Sequence, residues 1–391
     1  MAREGIRLTS FYAAPSCSPS RAALLTGRYP PRTGVYRVLG PDDPGGIPSS
    51  EVLLPEALRA RGYRTAAVGK WHLGSSRKEH FPTENGFDEY FGLLYSNDMI
   101  PPWVETRRPL RLYRGAEAIE GAVDVSTLTA RYTEEALRFI RENRERPFFL
   151  YLAHTMVHVP LGVSPEHRGK SRAGIYGDAV EEIDASAGRI LDALAAEGLE
   201  ERTLVVFTSD NGPWLGMPPR MIAGMVRREH AGSAGLLRGA KGSTFEGGVR
   251  VPCIARWPGR IPPGLVSAEM ASTMDLYATL LALAGAEVPR DRAVDGVDLL
   301  PLLTGSASSP RPEFFYWSGK TLEAVREGPW KLRFPRGVGA KDGALPELYH
   351  LEIDASERWD VAAEHPEVVA RLRRLAEEHA RSMTFGPLEE P

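Results

Sequence analysis

Short apolar runs alternate with longer amphipathic stretches along most of this chain, and this alternation limits the fold more than any other feature. The runs have the length of strands, and the stretches place apolar residues at helical spacing. This order predicts an α/β fold, with a mainly parallel sheet flanked by helices. Strands are predicted at residues 6–12, 65–68, 148–152, 204–208 and 251–255. Helices are predicted at residues 51–61, 127–143, 173–196, 272–284 and 367–382.

A glycine- and proline-rich joint at residues 305–312 predicts a domain boundary. Beyond it, short runs resemble the strands of a small antiparallel sheet, closed by the last predicted helix. These runs lie at residues 314–317, 323–326, 330–334 and 347–351. We therefore expect a main α/β domain over residues 1–308 and a small C-terminal α+β subdomain over residues 309–391. At the other end, residues 1–5 are interpreted as the tail of a helix with Gly5 as its C-cap.

Composition excludes several classes of function. The 391 residues can bury a large core, and 42% hydrophobic and 25% charged residues are typical of a globular protein. A formal net charge of -3 argues against a nucleic-acid partner. No apolar run approaches the ~18 residues of a membrane span. Two cysteines provide no disulfide framework, and residues 1–5 lack the apolar core of a signal peptide, so localisation stays open.

Polar clusters follow the predicted strands, at the ends where open parallel sheets bind ligands. Lys70 and His72 follow the second strand, between glycines, and can point into one cleft. The cation could neutralise an anionic ligand, and the histidine could move a proton. A solvent-exposed loop is the alternative. His154 and His158 follow the third strand in the same way.

Asp210 and Asn211 follow the fourth strand. A carboxylate and an amide oxygen side by side are hard ligands suited to calcium or magnesium. The same pair before Gly212 is also an ordinary turn signal, so the residues alone leave both interpretations open.

Cys17 begins the run Cys-Ser-Pro-Ser-Arg, which is followed by Leu-Thr-Gly-Arg. Arg21 lies four residues, about one helical turn, after Cys17, so both side chains can share a face. A small buried cysteine beside a helix start is the structural alternative. Zinc is disfavoured because Cys253, the other cysteine, lies far away in an apolar stretch.

The pattern C-x-P-S-R with L-T-G-R resembles the signature of the sulfatases. Further matches in the expected order extend the likeness from Ile6 to about Val361. They include G-K-W-H-L-G at residues 69–74, T-S-D-N-G at 208–212 and G-x-K-G-x-x-x-E-G-G-x-R-x-P at 239–252. The resemblance implies the alkaline phosphatase superfamily fold, with residues 1–308 as the catalytic domain.

The resemblance also implies that Cys17 is oxidised to formylglycine by a formylglycine-generating enzyme. The hydrate of that aldehyde carries two hydroxyls on one carbon. One attacks sulfur, and the other collapses to the carbonyl and expels sulfate, which neither serine nor cysteine can do.

Roles for other residues follow from the resemblance. Arg21 would hold the hydrate, and Lys70 would neutralise sulfate oxygens. His72 would take the proton of the second hydroxyl, and His158 would protonate the leaving oxygen. Lys241 would bridge the sulfate and the leaving oxygen.

Three further residues complete the implied site. Ser96 matches a substrate-side serine of some arylsulfatases. Asp210, Asn211 and the modified Cys17 would hold a divalent cation, calcium with magnesium as the alternative. Glu246 and Arg250 are expected to form a structural ion pair, and His154 to be structural.

The chain departs from the family pattern at its front. Family members begin with an apolar strand ending in two aspartates that bind the metal, and no aspartate precedes Cys17. Asp42 and Asp43 cannot substitute, because neighbouring prolines and glycines place them in a turn. We therefore expect too few metal ligands and a sheet with unpaired backbone. We hypothesise that Met1 is an internal start or a fragment boundary and that the native protein is longer.

Hydrolysis of a sulfate monoester, an aryl sulfate or a sulfated carbohydrate, is the leading prediction. A phosphate or phosphonate monoester hydrolase of the same superfamily is the near alternative. An inactive, truncated sulfatase-like chain is the non-enzymatic one. None of the three involves nucleic acid or a membrane span.

Overall fold

The computed structural model describes residues 1–222, 226–340 and 344–387. Its strands are β1 (Ile6–Tyr12), β2 (Arg64–Lys70), β3 (Glu89–Leu93), β4 (Arg111–Arg114), β5 (Glu117–Gly121), β6 (Phe148–Ala153), β7 (Val205–Thr208), β8 (Arg250–Arg256), β9 (Leu265–Ser272), β10 (Glu313–Ser318), β11 (Thr321–Glu327), β12 (Trp330–Arg333) and β13 (Glu347–His350). Its α-helices are α1 (Cys17–Thr26), α2 (Pro30–Thr33), α3 (Leu54–Arg59), α4 (Leu128–Glu142), α5 (Gly174–Ala196), α6 (Glu246–Val249), α7 (Thr273–Leu283), α8 (Leu300–Leu303) and α9 (Pro366–Ser382).

The first sheet has the strand order β7-β8-β1-β9. Its central strand β1 is parallel to β9 and antiparallel to β8, which in turn is antiparallel to β7. Ile6, Leu8 and Phe11 of β1 are buried in one apolar cluster with Leu276 of α7. Helix α1 begins a few residues after this buried strand. The packing of β1 in the sheet therefore positions the first residue of α1.

The second sheet has the strand order β5-β4-β3-β2-β6. Its strand β2 lies between β3 and β6 and is parallel to both, while β4 and β5 form an antiparallel hairpin at the far edge. Helix α4 packs against β2 and β6. Because β2, β3 and β6 run in one direction, the loops that follow them emerge at one edge of the sheet.

The α/β fold with flanking helices and a small antiparallel C-terminal sheet is confirmed. The strands form two mixed sheets rather than one continuous sheet. Among the described residues, β6 pairs with β2 alone and β7 with β8 alone. No helix in the described ranges is both long enough and apolar enough to cross a membrane.

The front of the chain forms a short 3-10 helix, Ala2–Glu4, as the helix-tail interpretation anticipated, but Gly5 has a different reason to be glycine. Its backbone is extended, with φ of -161°, so it is no left-handed cap. A Cβ on Gly5 would lie 2.1 Å from the carbonyl oxygen of Ala255. Close approach to β8, rather than a helix cap, therefore requires glycine here.

The C-terminal sheet has the order β10-β11-β12-β13, is antiparallel throughout and is covered by α9. The ring of Tyr12 stacks on Phe314, with centroids 4.9 Å apart. Lys331 of β12 is fully buried, with its Nζ 3.0 Å from Glu246 and 2.8 Å from Glu357. Aromatic stacking and a buried ion cluster therefore join the two parts of the chain.

His379 of α9 gives the fold a dependence on pH. Its ring stacks on Phe315 with centroids 3.6 Å apart, and its Nε2 accepts a hydrogen bond from Trp317 Nε1 at 3.3 Å. Burial, followed by the charge of Arg32, lowers the pKa of His379 to about 3. The unfolded chain, with an ordinary histidine pKa near ~6.5, binds more protons between these values, so stability falls as pH decreases through this window.

We expect His379→Phe, which keeps the stacked ring, to reduce this loss by about 1 kcal/mol per pH unit. Urea unfolding between pH 7 and pH 4.5 measures the slope. His167→Phe, which removes a histidine whose ring bonds the hydroxyl of Ser164, is the control. Equal slopes in the parent and His379→Phe would show that His379 is not the source.

Candidate active site

Four strands bring polar side chains to one end of the two sheets. Strand β1 leads to Cys17, β2 ends at Lys70, β6 leads to His158, and β7 leads to Asp210. Arg21, about one turn after Cys17 in α1, lines the same cavity as Lys70, His158 and Asp210. Residues predicted from distant segments of the sequence therefore lie together.

Cys17 is the first residue of α1, with 2% of its surface exposed. Burial alone would raise the pKa of its thiol. The charges of Lys241 and Lys70 outweigh burial, and hydrogen bonding to His158 and His72 adds to them, so the pKa lies well below its ordinary value. The surroundings therefore stabilise negative charge at position 17.

Arg21 connects α1 to the ends of two strands. Its Nη2 and Nε donate to Asp210 Oδ2 at 2.8 and 3.2 Å, and its Nη1 donates to the carbonyl of Lys70. Burial opposes its charge, but Tyr151, Asp210 and Cys17 raise its pKa above the ordinary value. The guanidinium is thus a fixed cation about one turn from Cys17.

Lys70 is buried, and its Nζ donates to Ser96 Oγ at 3.2 Å. Burial lowers its pKa, and the charge of Cys17 acts in the opposite direction. Ser96 is itself 1% exposed, so a buried hydroxyl holds the lysine. This fixes the ammonium at the site rather than in solvent.

His72 is held as a neutral ring. Its Nε2 lies 2.9 Å from the carbonyl oxygen of Leu39, which can only accept, so Nε2 carries the hydrogen and Nδ1 has a free lone pair. Burial, followed by the charge of Lys70, lowers its pKa to about 4. Because His72 also contacts the Cys17 thiol, it can accept a proton from a group at position 17.

His158 and Lys241 form a bonded pair. Lys241 Nζ donates to His158 Nε2 at 2.9 Å, and His158 Nδ1 donates to the carbonyl of Val159 at 2.7 Å. The ammonium also lies 5.0 Å from the centre of the Trp214 ring. The ammonium of Lys241 is therefore held against the His158 ring, in the cavity that both side chains line.

Sequence reasoning missed Asp98 and Trp214. Asp98 Oδ1 lies 3.7 Å from His158 Nδ1. Burial would raise its pKa, but His158 and a hydrogen bond to Ser96 lower it, so the carboxylate stays charged beside the histidine. A signal existed, because Asp98 comes shortly after the parallel strand β3, as His72 comes shortly after β2.

A family model described as Sulfatase matches residues 1–286, and a second, the C-terminal region of aryl-sulfatase, matches residues 309–389. The first match includes every residue of the cluster described above. This chain belongs to the sulfatase family.

The sulfatase is 40% identical to N-acetylgalactosamine-6-sulfatase of Canis lupus familiaris over 435 residues, 99% of this chain and 81% of the relative. It is 38% identical to arylsulfatase A of Homo sapiens over 435 residues, 99% of this chain and 83% of the relative. Among solved structures, the PsFucS1 sulfatase from Pseudoalteromonas sp. matches with a TM-score of 0.86 at 30% identity, covering 100% of this chain and 85% of that one. The chain is therefore a sulfuric ester hydrolase, and its family uses formylglycine and a divalent cation.

The donor set of this sulfatase does not fit a complete cation site. Asp210 and Asn211 stand at the end of β7, and Asn211 Oδ1 is buried without a hydrogen-bond partner. Asp210 Oδ2 already accepts from Arg21. Calcium takes six or more oxygens, and the described residues contain no cluster of three acidic, histidine or cysteine side chains that could hold a metal.

The other acidic candidates of the sulfatase have structural partners. Asp42 lies 3.0 Å from Arg108, and Asp43 pairs with Arg37. Glu246 lies 3.5 Å from Arg250, as expected, but it is fully buried and also accepts from Tyr12 at 2.7 Å. His154, with its pKa lowered to about 4 by burial, bonds Ser186 at 3.2 Å.

The two cysteines of the unconverted sulfatase should differ in reactivity. Cys17 and Cys253 are 2% and 1% exposed, so burial does not distinguish them. Burial raises the pKa of Cys253, whereas Lys241 and Lys70 lower that of Cys17. At pH 7 we expect iodoacetamide to alkylate Cys17 at least about tenfold faster than Cys253.

Mass spectrometry of tryptic peptides measures both rates in one sample. The Cys17 rate should rise less steeply between pH 6 and pH 8 than the Cys253 rate. Lys241→Met should slow alkylation of Cys17 and make its rise with pH steeper. Equal rates at the two cysteines would contradict the lowered pKa of Cys17.

Proposed function

We propose that this sulfatase hydrolyses a sulfate monoester of a carbohydrate through formylglycine formed at Cys17. The arrangement of Lys70, Lys241, His72 and His158 around the thiol carries the proposal. The names of relatives such as N-acetylgalactosamine-6-sulfatase support a sugar sulfate as the substrate class. When formed, the aldehyde hydrate supplies one hydroxyl to attack sulfur and a second to expel sulfate.

The cations of the site bind and orient the sulfate group. Lys70 and Lys241 both act on the charge at position 17, so an anion next to that position meets two ammonium groups. Arg21 adds a guanidinium whose orientation Asp210 fixes. Donors held in place before the substrate binds stabilise the charge that develops in the transition state.

His72 accepts one proton in the proposed reaction, and the pair of Lys241 and His158 donates another. His72 has a free Nδ1 lone pair and a pKa of about 4, so it accepts the proton of a hydroxyl at position 17. On the leaving-group side, the hydrogen-bonded pair of Lys241 and His158 supplies a proton to the departing oxygen. Asp98, 3.7 Å from the other ring nitrogen, stabilises positive charge on His158.

Co-expression with a formylglycine-generating enzyme tests the proposal. Mass spectrometry of the Cys17 peptide should show an aldehyde in place of the thiol. The converted protein should then turn over 4-nitrophenyl sulfate and release sulfate from N-acetylgalactosamine 6-sulfate faster than it hydrolyses 4-nitrophenyl phosphate. An unmodified thiol, or a large preference for phosphate, would contradict it.

A further inference from the structure

One aromatic side chain of the active site has no part in the proposed reaction. Trp214 lies four residues after Asp210 and lines the same cavity as Lys241 and His158. Lys241 Nζ stands over the indole, 5.0 Å from the centre of the ring, and the centre of the His158 ring lies 5.8 Å from it, with the two rings inclined at 42°. The same two side chains serve the departing oxygen, so the indole adjoins the leaving-group side of the site.

The backbone next to Trp214 is fixed by the loop that carries Lys241. The amide of Lys241 donates a hydrogen bond to the carbonyl of Pro213 at 2.9 Å. A Cβ on Gly212 would lie 1.9 Å from the carbonyl oxygen of Gly247, so the two segments can approach this closely only with glycine here. The position of the indole relative to the Lys241 ammonium is therefore set before a ligand binds.

The indole also packs against an apolar cluster. This cluster joins the segment that follows β6 to the segment that follows β7, through side chains that include the buried Val159 and Met217. Trp214 itself is only partly buried, so part of its surface stays open at the cavity that it lines. A rigid aromatic surface that is partly open to a cavity is suited to contact with a ligand rather than to filling a core.

The cations and the indole attract different parts of a sulfate ester. Lys70 and Lys241 act on the charge at position 17, so they attract the sulfate group of any ester. The indole face carries the partial negative charge of its π-system, so it attracts C–H groups that neighbouring oxygens polarise, as on one face of a pyranose. An acyclic alkyl group has fewer such C–H groups and cannot lie flat on the indole. A ring in the leaving group therefore gains a contact that an acyclic group does not.

We propose that Trp214 is a specificity-determining residue whose indole face binds the ring of the leaving group. The ring attached to the departing oxygen lies beside the indole, because Lys241 adjoins both. Trp214 thereby favours sulfate esters of rings, such as a pyranose, over acyclic sulfate esters. This role rests on the proposed function for the position of the leaving group, but it can be measured by binding, without turnover.

Two monoanions test the role in a Cys17→Ala background, which cannot turn over an ester. N-acetylgalactosamine 6-sulfate carries a ring, and ethyl sulfate carries none. In ligand-observed NMR titrations, the sugar sulfate should bind at least about tenfold more tightly than ethyl sulfate. Trp214→Leu should reduce this ratio to about threefold or less and leave the affinity for ethyl sulfate unchanged within about twofold. A sugar sulfate that binds no more tightly than ethyl sulfate, or a ratio that Trp214→Leu does not change, would overturn the proposal.

Matched variants separate contact with the ring from support of Lys241. Trp359→Leu removes a 56% exposed tryptophan outside the cavity lining and should leave the ratio unchanged. Trp214→Phe keeps an aromatic face and should retain most of the ratio. If Trp214→Leu weakens the binding of both ligands equally, the indole acts by holding Lys241, and the specificity role is wrong.

A spectroscopic measurement reports the contact itself. Protons on the bound pyranose should shift upfield through the ring current of the indole, and Trp214→Leu should remove this shift. A bound sugar sulfate whose protons do not shift would contradict binding against the indole face.

Kinetics of the converted protein separate this role from the proposed function. Trp214→Leu should raise KM for the sugar sulfate at least about tenfold and change kcat by less than about threefold, because a contact that is equal in the ground and transition states contributes to binding alone. Turnover that is unaffected by residue 214 would reject the role of Trp214 and leave the proposed function standing. An affinity ratio that depends on Trp214, in a protein whose Cys17 is never converted, would do the reverse.

Discussion

Cys17→Ala is expected to lower the turnover of 4-nitrophenyl sulfate by at least about 10⁴-fold, as loss of a nucleophile does in other hydrolases. The alanine side chain can be neither oxidised to an aldehyde nor ionised. Lys70, Lys241 and His72 would remain around position 17 with no group to activate. The comparison uses the conditions under which the parent protein, co-expressed with a formylglycine-generating enzyme, turns over fastest.

Cys253→Ala is the matched control, because Cys253 is equally buried but lies in β8, where burial raises its pKa. It should retain turnover within a factor of a few, although removal of a buried sulfur lowers stability slightly. Sulfate binding provides a second measurement. If Cys17→Ala binds inorganic sulfate as the parent does but has lost turnover, the residue acts in the chemical step. Turnover above one hundredth of the parent would show that the reaction does not pass through residue 17.

The sequence predicted element types well because apolar spacing determines burial. Strand β2 was expected at residues 65–68 and spans Arg64–Lys70. Helix α3 was expected at residues 51–61 but spans only Leu54–Arg59, since Leu53 is extended and Pro55 occupies the first turn. The pairing of strand edges could not be predicted, because an apolar run indicates that a strand is buried and not which neighbour covers it.

The candidate site likewise combines residues whose positions could be predicted from the strands with residues whose contacts could not. Lys70, His72, His158 and Asp210 follow strands, so the rule that ligands bind at strand ends brings them together. Lys241 follows no strand and was found only through the resemblance. Its contact with His158 spans 83 residues of sequence, and no local pattern encodes such a distance.

Lys331 is the clearest case of a residue whose burial could not be predicted from the sequence. Residues 330–334 were correctly predicted as a strand, but a lysine in a strand of a small sheet is normally exposed. In the structure its side chain is 0% exposed, and Glu246, its partner, is 85 residues away. Buried ion clusters of this kind depend on three-dimensional contacts between segments that carry no matching signal.

Lys331→Met is expected to lower the free energy of unfolding by about 3–5 kcal/mol, because it leaves two carboxylates buried without their shared cation. Methionine keeps most of the volume, so the lost charge rather than a cavity accounts for the effect. Lys170→Met, at an exposed position, should change stability by less than about 0.5 kcal/mol. Urea unfolding followed by tryptophan fluorescence measures both, since Trp330 adjoins Lys331.

Replacing Glu246 and Glu357 by glutamine separates the effect of buried charge on stability from the effect of side-chain packing. Glu246→Gln and Glu357→Gln added to Lys331→Met should restore part of the lost stability, because amides cost less to bury than unpaired carboxylates. Burial raises the pKa of Glu357, so lowering the pH protonates it first and should also reduce the cost of Lys331→Met. The penalty at pH 7 should therefore exceed the penalty at pH 5. A penalty that is independent of pH and unaffected by the glutamines would mean that Lys331 stabilises the domain contact through packing alone.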